Sequence, residues 1–328
     1  AKTAYSAAAE FDFNPEIKED ALFSYAKLTY ELSYSPFNET IKAFDRYISE
    51  YPNSSKNAEA YRILVEVYMV TKNYNDAIAS IEKIQNKTPD ILKAYQRVTY
   101  FRGLELFNNM AYNQAIDQFD LSLQNGTYNR EIKSKALYWK SEALYRVGDF
   151  NNSITSYNQF MQTSGSAKTE AVNADYNLGY AYLKMDNKEL AFTHFRKYVN
   201  TMQGKRTPKL ADAYNRVGDY YFLNTNYNQA VDNYQQAYNM KMHEADYALL
   251  QIAFCQGLQR QQTEKINSLN RLLYDFPQSE YQDDALYELG RANERIGKNY
   301  DAVQQYQEIV SKHPNSSYYR KALLQLGL

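Results

Sequence analysis

The side chains that could perform catalytic or metal chemistry are few and scattered in this sequence. The three histidines, His194, His243 and His313, have no His, Cys or carboxylate partners at metal-ligand spacing. The single cysteine, Cys255, excludes an internal disulfide and falls on the small-residue side of a predicted helix, where we expect a buried thiol. We therefore predict no metal and no cofactor.

Paired carboxylates would offer another route to catalysis. Glu19-Asp20 and Asp283-Asp284 fall at predicted helix starts, where the helix macrodipole favours negative charge. The sequence also lacks a G-x-S-x-G motif, a P-loop and any Gly-rich phosphate cradle. These pairs are thus predicted to be helix-start residues, and the chain is predicted not to be an enzyme.

Composition narrows the class of partner. The 328 residues include 37 Lys plus Arg and 38 Asp plus Glu, so the basic excess typical of nucleic-acid binding is missing. The longest apolar run, 63–70, is interrupted by Glu66, so no direct membrane insertion is expected. Tyrosine is abundant, with 34 residues against 15 Phe and one Trp. Tyr suits both thin, partly wet cores and protein interfaces, so packing is expected to account for most of these residues, with a face that binds a protein or peptide as the alternative for the rest.

A repeated pattern organises the whole chain. A small residue marks the second of two predicted helices in each copy, and we call these positions the marks. They recur at intervals of 35 to 39 residues, at Thr40, Ala77, Ala115, Ser153, Ala191, Ala230, Lys265 and Ala302. Lys265 is the exception in size, but its neighbours keep the register. Short helices need neighbours for stability, and the repeat supplies them.

Large residues accompany the marks at fixed distances. Four residues after each mark comes a large side chain: Phe44, Ile81, Phe119, Tyr157, Phe195, Tyr234, Leu269 and Tyr306. Thirteen and twelve residues before several marks comes a large-small pair: Leu178-Gly179, Val217-Gly218, Ile252-Ala253 and Leu289-Gly290. Between the helices of the fifth copy, Asp186-Asn187 predicts a turn and a helix start. We expect Gly179 and Gly218 to lie where first helices touch.

Prolines punctuate four copies twelve residues after the mark. These are Pro52, Pro89, Pro277 and Pro314, and each is predicted to stop a second helix.

This pattern resembles the tetratricopeptide repeat (TPR), with a period slightly above the usual 34 residues. The resemblance implies an all-α solenoid, a right-handed superhelix of antiparallel helix pairs, formed as one array over residues 1–328. About eight repeats would occupy 19–316. Residues 1–15 would be the second helix of a truncated repeat, and 317–328 the first helix of a ninth. The linkers at 124–127, 163–166 and 202–208 are too short to separate domains.

Three repeat junctions carry a second resemblance. They read Tyr51-Pro52-Asn53-Ser54, Phe276-Pro277-Gln278-Ser279 and His313-Pro314-Asn315-Ser316, with a serine able to cap the next helix. Such junctions are similar to those of Gram-negative envelope TPR proteins, namely the lipoprotein of the barrel-assembly machinery and the periplasmic partner of Tol–Pal. This resemblance implies a periplasmic or outer-membrane-associated location, with a cytoplasmic location as the alternative.

The TPR resemblance also implies a concave groove lined by first helices. Carried over to this sequence, it predicts a partner-binding surface of Tyr100, Phe107, Tyr138, Glu142, Tyr145, Tyr176, Tyr180, Asn215, Asp219 and Phe222. Outer copies would contribute charges that steer a partner: Arg62, Glu66, Arg291 and Glu294. The alternative is that these aromatic side chains only pack first helix on first helix.

Two function classes follow. The first is a non-catalytic scaffold that binds a partner segment in the groove, in the bacterial cell envelope. The second is a recruiting or regulatory arm of a larger enzyme, regulator or secretion machine whose active part lies outside these residues.

Overall fold

The structure is a computed structural model that describes residues 1–12, 14–32, 38–84, 86–163 and 169–327. Within these ranges it contains 18 α-helices and no β-strand, which confirms the predicted all-α fold. The chain divides into two compact units, unit 1 at 1–167 and unit 2 at 168–328. In both units, helices adjacent in sequence pack against each other, as expected for stacked helical hairpins.

Unit 1 contains the first nine helices. They are α1 (Lys2–Ala8), α2 (Pro15–Leu32), α3 (Asn38–Glu50), α4 (Asn57–Val70), α5 (Tyr74–Glu82), α6 (Pro89–Asn108), α7 (Tyr112–Gln124), α8 (Arg130–Arg146) and α9 (Phe150–Thr163).

Unit 2 contains the other nine. They are α10 (Thr169–Lys184), α11 (Lys188–Met202), α12 (Pro208–Leu223), α13 (Tyr227–Asn239), α14 (Ala245–Leu258), α15 (Gln262–Asp275), α16 (Gln282–Arg295), α17 (Asn299–Lys312) and α18 (Tyr319–Leu326).

The marks lie in the core of each hairpin. All eight marks are buried, and so are all eight large residues that follow them by four positions. The two positions share one face of a helix, so each second helix presents one small and one large contact to its first helix. Burial of both positions at all eight marks is what the predicted register requires.

The glycines of the large-small pairs lie against the second helix of their own repeat. A Cβ atom built on Gly179 would lie 2.8 Å from ring atoms of Phe195, and one on Gly218 would lie 2.6 Å from the Tyr234 ring. The sequence predicts that these glycines lie where first helices touch, but the atoms nearest to each ideal Cβ position belong to the second helix. The close approach is between the glycine and the large residue four positions after the mark.

The turn within each described hairpin has one geometry. The residue five positions before the mark has a positive φ in seven repeats: Lys72, Met110, Gly148, Asp186, Thr225, Arg260 and Gly297. The next N–H bonds to a carbonyl five residues earlier, for example Asn187 N to Tyr182 O at 2.9 Å. This is the Schellman motif that ends the first helix. Asn187 then begins α11 by accepting a bond from Leu190 N at 3.1 Å, as predicted.

The four prolines divide into two classes. Pro52, Pro277 and Pro314 each lie two residues after the last residue of a second helix, as predicted. The prediction for Pro89 is wrong, because α5 already ends at Glu82 and Pro89 begins α6. Proline suits a first helical position, where its missing N–H would have no intrahelical partner.

The junction serines lie just outside the helices that follow them. Ser54, Ser279 and Ser316 each accept a bond from the N–H two residues later, at 2.9–3.1 Å. Two of them also donate to a carboxylate of the preceding first helix: Ser54 to Glu19 and Ser279 to Asp246, both at 2.5 Å. Ser54 and Ser279 thus tie consecutive first helices together, and none of the three serines acts as a side-chain N-cap.

Lys265 occupies the small-residue position of the seventh repeat. Its side chain is only 5% exposed, and its stem lies 3.1 Å from a Cβ built on Gly257. The ammonium group pairs with Glu288 of α16, which Arg291 also contacts at 3.3 Å. A glycine on α14 makes room for the stem, while the charge is neutralised by the next repeat.

The predicted end segments coincide with helices. Residues 1–15 contain α1 and the start of α2, and residues 317–328 contain α18. Predictions that concern Phe13, Leu328 and residues 164–166 lie outside the described residues. The prediction of one continuous array over 1–328 stays a prediction.

Candidate functional site: a hydrogen-bonded first-helix face in unit 2

The first helices of unit 2 carry a network of tyrosine, carboxylate and arginine side chains, which we call the Arg216 network. Its members come from α10, α12, α13 and α14 together with the residue before α14. They are Tyr176, Tyr180, Asp212, Arg216, Asp219, Tyr234, Glu244 and Tyr247. The network therefore joins three consecutive repeats.

Arg216 lies at the centre of the network. Its guanidinium group donates to Asp212 Oδ1 at 3.2 Å, to Asp219 Oδ2 at 2.7 Å and to Glu244 Oε2 at 2.6 Å. Asp212 and Asp219 are four residues before and three residues after the arginine, so all three project from one side of α12. Arginine suits this position because its planar fork of donors matches several carboxylates at once.

Tyrosine hydroxyls saturate the same carboxylates. Tyr176 and Tyr180 of α10 both donate to Asp212 Oδ2, at 2.9 and 2.6 Å. Tyr234 and Tyr247 both donate to Asp219 Oδ1, at 2.8 and 2.7 Å. Each of the two aspartates thus accepts two hydroxyl bonds in addition to its bond from arginine.

Glu244 links the network to the backbone at the start of α14. This residue precedes α14 in the left-handed conformation, with φ at 62°. Asn215 donates to the Glu244 carbonyl at 3.2 Å while the neighbouring Arg216 binds the Glu244 carboxylate. Two consecutive residues of α12 therefore position the start of α14.

Burial and the neighbouring carboxylates raise the pKa values of the four tyrosines in the network. Burial, reinforced by Asp212, raises the pKa of Tyr176 and of Tyr180 above the ordinary tyrosine range. Burial and Asp219 do the same to the pKa of Tyr234 and Tyr247. These tyrosines therefore remain neutral donors at physiological pH.

The predicted groove residues of unit 1 are packed to different degrees. Tyr100 and Tyr138 are buried, at 5% and 7% exposure, and offer little surface to a partner. Phe107 and Tyr145 are half-buried, and each makes an edge contact at 5.3 Å with the aromatic residue that begins its second helix. Glu142 is half-buried and accepts a bond from Tyr157.

The predicted groove residues of unit 2 are also unequal. Asn215 is fully buried. Tyr176, Tyr180 and Asp219 are half-buried members of the Arg216 network. Phe222 is half-buried and lies 5.9 Å from Tyr227. Their contact with a partner stays a prediction.

The four predicted outer charges lie at exposed or half-buried positions. Arg62 pairs with Glu66 on α4 at 2.9 Å, and Tyr30 of the preceding first helix also donates to Glu66. Arg291 pairs with Glu288 on α16, and Glu294 raises the pKa of Tyr306 together with burial, which is the larger cause.

Sequence reasoning missed the centre of this site. Asp212 and Arg216 were not among the predicted residues, although their spacing is a recognisable helix ion-pair signal. Tyr247 was not predicted either, because it lies on α14 and its hydroxyl bonds to Asp219 of the preceding repeat. Only the packing of one repeat on another brings that pair together.

Among the described helices, none is both long enough and apolar enough to cross a membrane.

We compared the chain with known protein families and curated sequences. Family models described as tetratricopeptide repeat match residues 173–201, 211–241, 247–279 and 284–316, all in unit 2. No curated protein sequence matches the chain with significance.

Solved structures with low sequence identity share the fold. The C-terminal part of a TPR repeat-containing protein from Cytophaga hutchinsonii is 17% identical, with a TM-score of 0.54, over 82% of this chain and all of that one. The apo form of RapI is 13% identical, with a TM-score of 0.53, over 90% and 86% of the two chains. YrrB, described as a TPR protein with an unusual peptide-binding site, is 16% identical, with a TM-score of 0.50, over 64% and 98%. The family models therefore show tetratricopeptide repeats in these four segments of unit 2, and the solved structures show that the chain is similar to them in fold.

Proposed function

We propose that this protein is a non-catalytic scaffold that binds a segment of another protein along its first-helix face. The supporting observation is the Arg216 network, which joins the first helices of three repeats into one hydrogen-bonded surface. A surface ordered before binding lowers the entropy cost of holding a partner. TPR domains bind protein or peptide partners, and YrrB is a structural neighbour described by such a site.

The accessible aromatic side chains of this face are the proposed contacts. Phe222 in unit 2 is half-buried, so its ring keeps a surface for a partner. Aromatic side chains bury much area at low rotamer cost, and a few such residues usually dominate binding.

Site-specific photo-crosslinking tests this proposal. A benzoylphenylalanine at position 222 should capture a partner segment, which mass spectrometry then identifies. The same probe at Asn200, an exposed position on a second helix of the same unit, should not capture it. Capture from the second-helix position alone would overturn the assignment of the face.

Affinity measurements complete the test once a segment is identified. We expect Phe222→Ala to weaken binding by about 2 kcal/mol. Calorimetric titration of the purified variant measures this loss, and circular dichroism checks that it remains folded. Unchanged affinity would assign this ring to packing only.

We also propose that the protein works in the bacterial cell envelope. The support is the aromatic-Pro-x-Ser or His-Pro-x-Ser sequence at three junctions, which is similar to that of envelope TPR proteins. Fractionation of the host cell should recover the protein with periplasmic or outer-membrane markers. Recovery with cytoplasmic markers alone would contradict this location.

A further inference from the structure

The three carboxylates of the Arg216 network, Asp212, Asp219 and Glu244, are already occupied by bonds within the protein. Asp212 and Asp219 each accept two tyrosine hydroxyls and an arginine N–H, and Glu244 pairs with Arg216. Their side chains are recessed, with 16%, 25% and 31% of their surface exposed. A cationic partner would have to compete with these internal donors.

The same arrangement continues along α14, α16 and α18. Asp246 accepts from Ser279 at 2.5 Å, and Asp284 accepts from the Tyr318 hydroxyl at 2.8 Å. Glu288 is 13% exposed and lies between Lys265 and Arg291. These three carboxylates are likewise bonded to neighbouring repeats.

The cations of this face have a different environment. Lys209 lies 5.1 Å above the Tyr176 ring, and Lys321 lies 5.7 Å from the Tyr287 ring and 5.1 Å from the Tyr318 ring. Both lysines are exposed. Tyrosine faces attract a cation without neutralising it, so each ammonium group keeps its charge available to a partner.

We propose that the segment bound by this face is acidic, with its carboxylates meeting Lys209 and Lys321. This inference rests on the proposed function and adds the chemistry of the partner. Recessed, saturated carboxylates and outward lysines together favour a negatively charged segment over a positively charged one. The tyrosine rings beneath the lysines provide apolar surface for the carbon atoms of the same segment.

Three fluorescein-labelled peptides test the charge preference directly. Each has twelve residues with Leu and Tyr at the same positions, and the remaining positions are all Glu, all Gln or all Lys. Fluorescence anisotropy with the full chain should show the Glu peptide binding most tightly. Its affinity should fall as NaCl rises from about 50 mM to about 300 mM, because salt screens exposed charges.

Paired lysine variants test the location. We expect Lys209→Gln with Lys321→Gln to weaken the Glu peptide about fivefold, the sum of two exposed ion pairs. The matched control is Lys188→Gln with Lys312→Gln, which neutralises two exposed lysines on second helices and should leave the affinity unchanged. Equal losses in both double variants would overturn the inference, as would tighter binding of the Lys or Gln peptide.

Failure of this inference is distinguishable from failure of the proposed function. A neutral or basic segment that crosslinks at position 222 and outcompetes the Glu peptide would keep the scaffold function and reject the acidic partner. A Glu peptide that depends on Lys209 and Lys321 supports both.

Discussion

One threonine in this fold has a left-handed backbone conformation, which is sterically strained for a β-branched residue. Thr225 has φ at 59° in the turn between α12 and α13, and its side chain is exposed. The equivalent position in two other repeats is Gly148 or Gly297. Only glycine adopts this conformation without a steric penalty.

We expect Thr225→Gly to raise the free energy of unfolding by about 0.5–1 kcal/mol, since the relief of strain exceeds the added unfolded-state entropy. Urea denaturation measures the change. Thr225→Ala is the control, because it removes the hydroxyl and methyl groups but keeps a Cβ in the left-handed region. A gain of equal size in both variants would contradict the explanation.

Cys255 provides a second test at the scale of one residue. The side chain is fully buried on α14, and burial raises the pKa of its thiol from the ordinary 9.0 to about 12. The folded state therefore prefers the protonated thiol, and this contribution to stability is lost as pH rises from about 9 through about 12.

We accordingly expect no reaction of the native protein with a thiol reagent at pH 8, and full reaction in denaturant. Absorbance of the released thiolate after treatment with Ellman's reagent measures both. Rapid reaction of the native chain would show that the α14 face is open.

The role of a residue can be predicted from the sequence where it recurs in every repeat. The prediction fails where a side chain bonds to a residue of the next repeat. The marks follow from periodicity, because each lies inside its own hairpin. Lys265 violates the small-residue rule, and the carboxylate that compensates for it, Glu288, lies on the following first helix. Asp219 and Tyr247 pair across repeats in the same way.

At the scale of the helical hairpin, the contact between Gly179 and Phe195 sets how closely α10 and α11 approach. The ideal Cβ position on Gly179 lies within 2.8 Å of three ring atoms, nearer than real Cβ contacts allow. Phe195 is itself buried, so the ring has no free space into which it could move.

We predict that Gly179→Leu lowers the free energy of unfolding by about 1–3 kcal/mol through overpacking. Lys184→Leu on the same helix is the matched control, since Lys184 is exposed and the added residue is identical. Thermal denaturation followed by circular dichroism separates them. Similar melting curves for wild type and Gly179→Leu would exclude the close contact.

A helix boundary can be predicted from the sequence where the residue type at the turn occurs at only one kind of boundary. Asn187 both follows the left-handed residue and caps the next helix, so its type identifies the boundary. Pro89 has the same spacing from its mark as Pro52, yet α5 is shorter than α3 and leaves room for proline to begin α6. Sequence position alone does not separate a stop from a start.

At the scale of a whole unit, stability should be local because each repeat packs on its neighbours. The Lys265–Glu288 pair of unit 2 tests this, since both side chains are largely buried, at 5% and 13% exposure. Removing one member leaves a charge without its partner, whereas replacing both by apolar residues removes the charges together.

We expect Glu288→Leu to cost about 3 kcal/mol, and Lys265→Met with Glu288→Leu to recover most of that loss. Hydrogen exchange should report faster opening in α15 and α16 of the single variant, with α10 and α11 unchanged. Uniform loss of protection across unit 2 would indicate one cooperative block in place of coupled repeats.

The turn within each hairpin has a constant length, whereas the junction between hairpins varies in length, so the two differ in how they tolerate an insertion. The left-handed residue precedes the mark by five positions in every described turn, whereas the marks themselves are 35 to 39 residues apart. An added residue within a hairpin would shift the Schellman bonds and rotate every later side chain out of the core. An added residue in the exposed part of a junction lengthens a loop without shifting either hairpin. Gly204 and Lys205 are exposed in such a loop, so an affinity tag or fluorophore can be inserted between them while both flanking hairpins keep their packing.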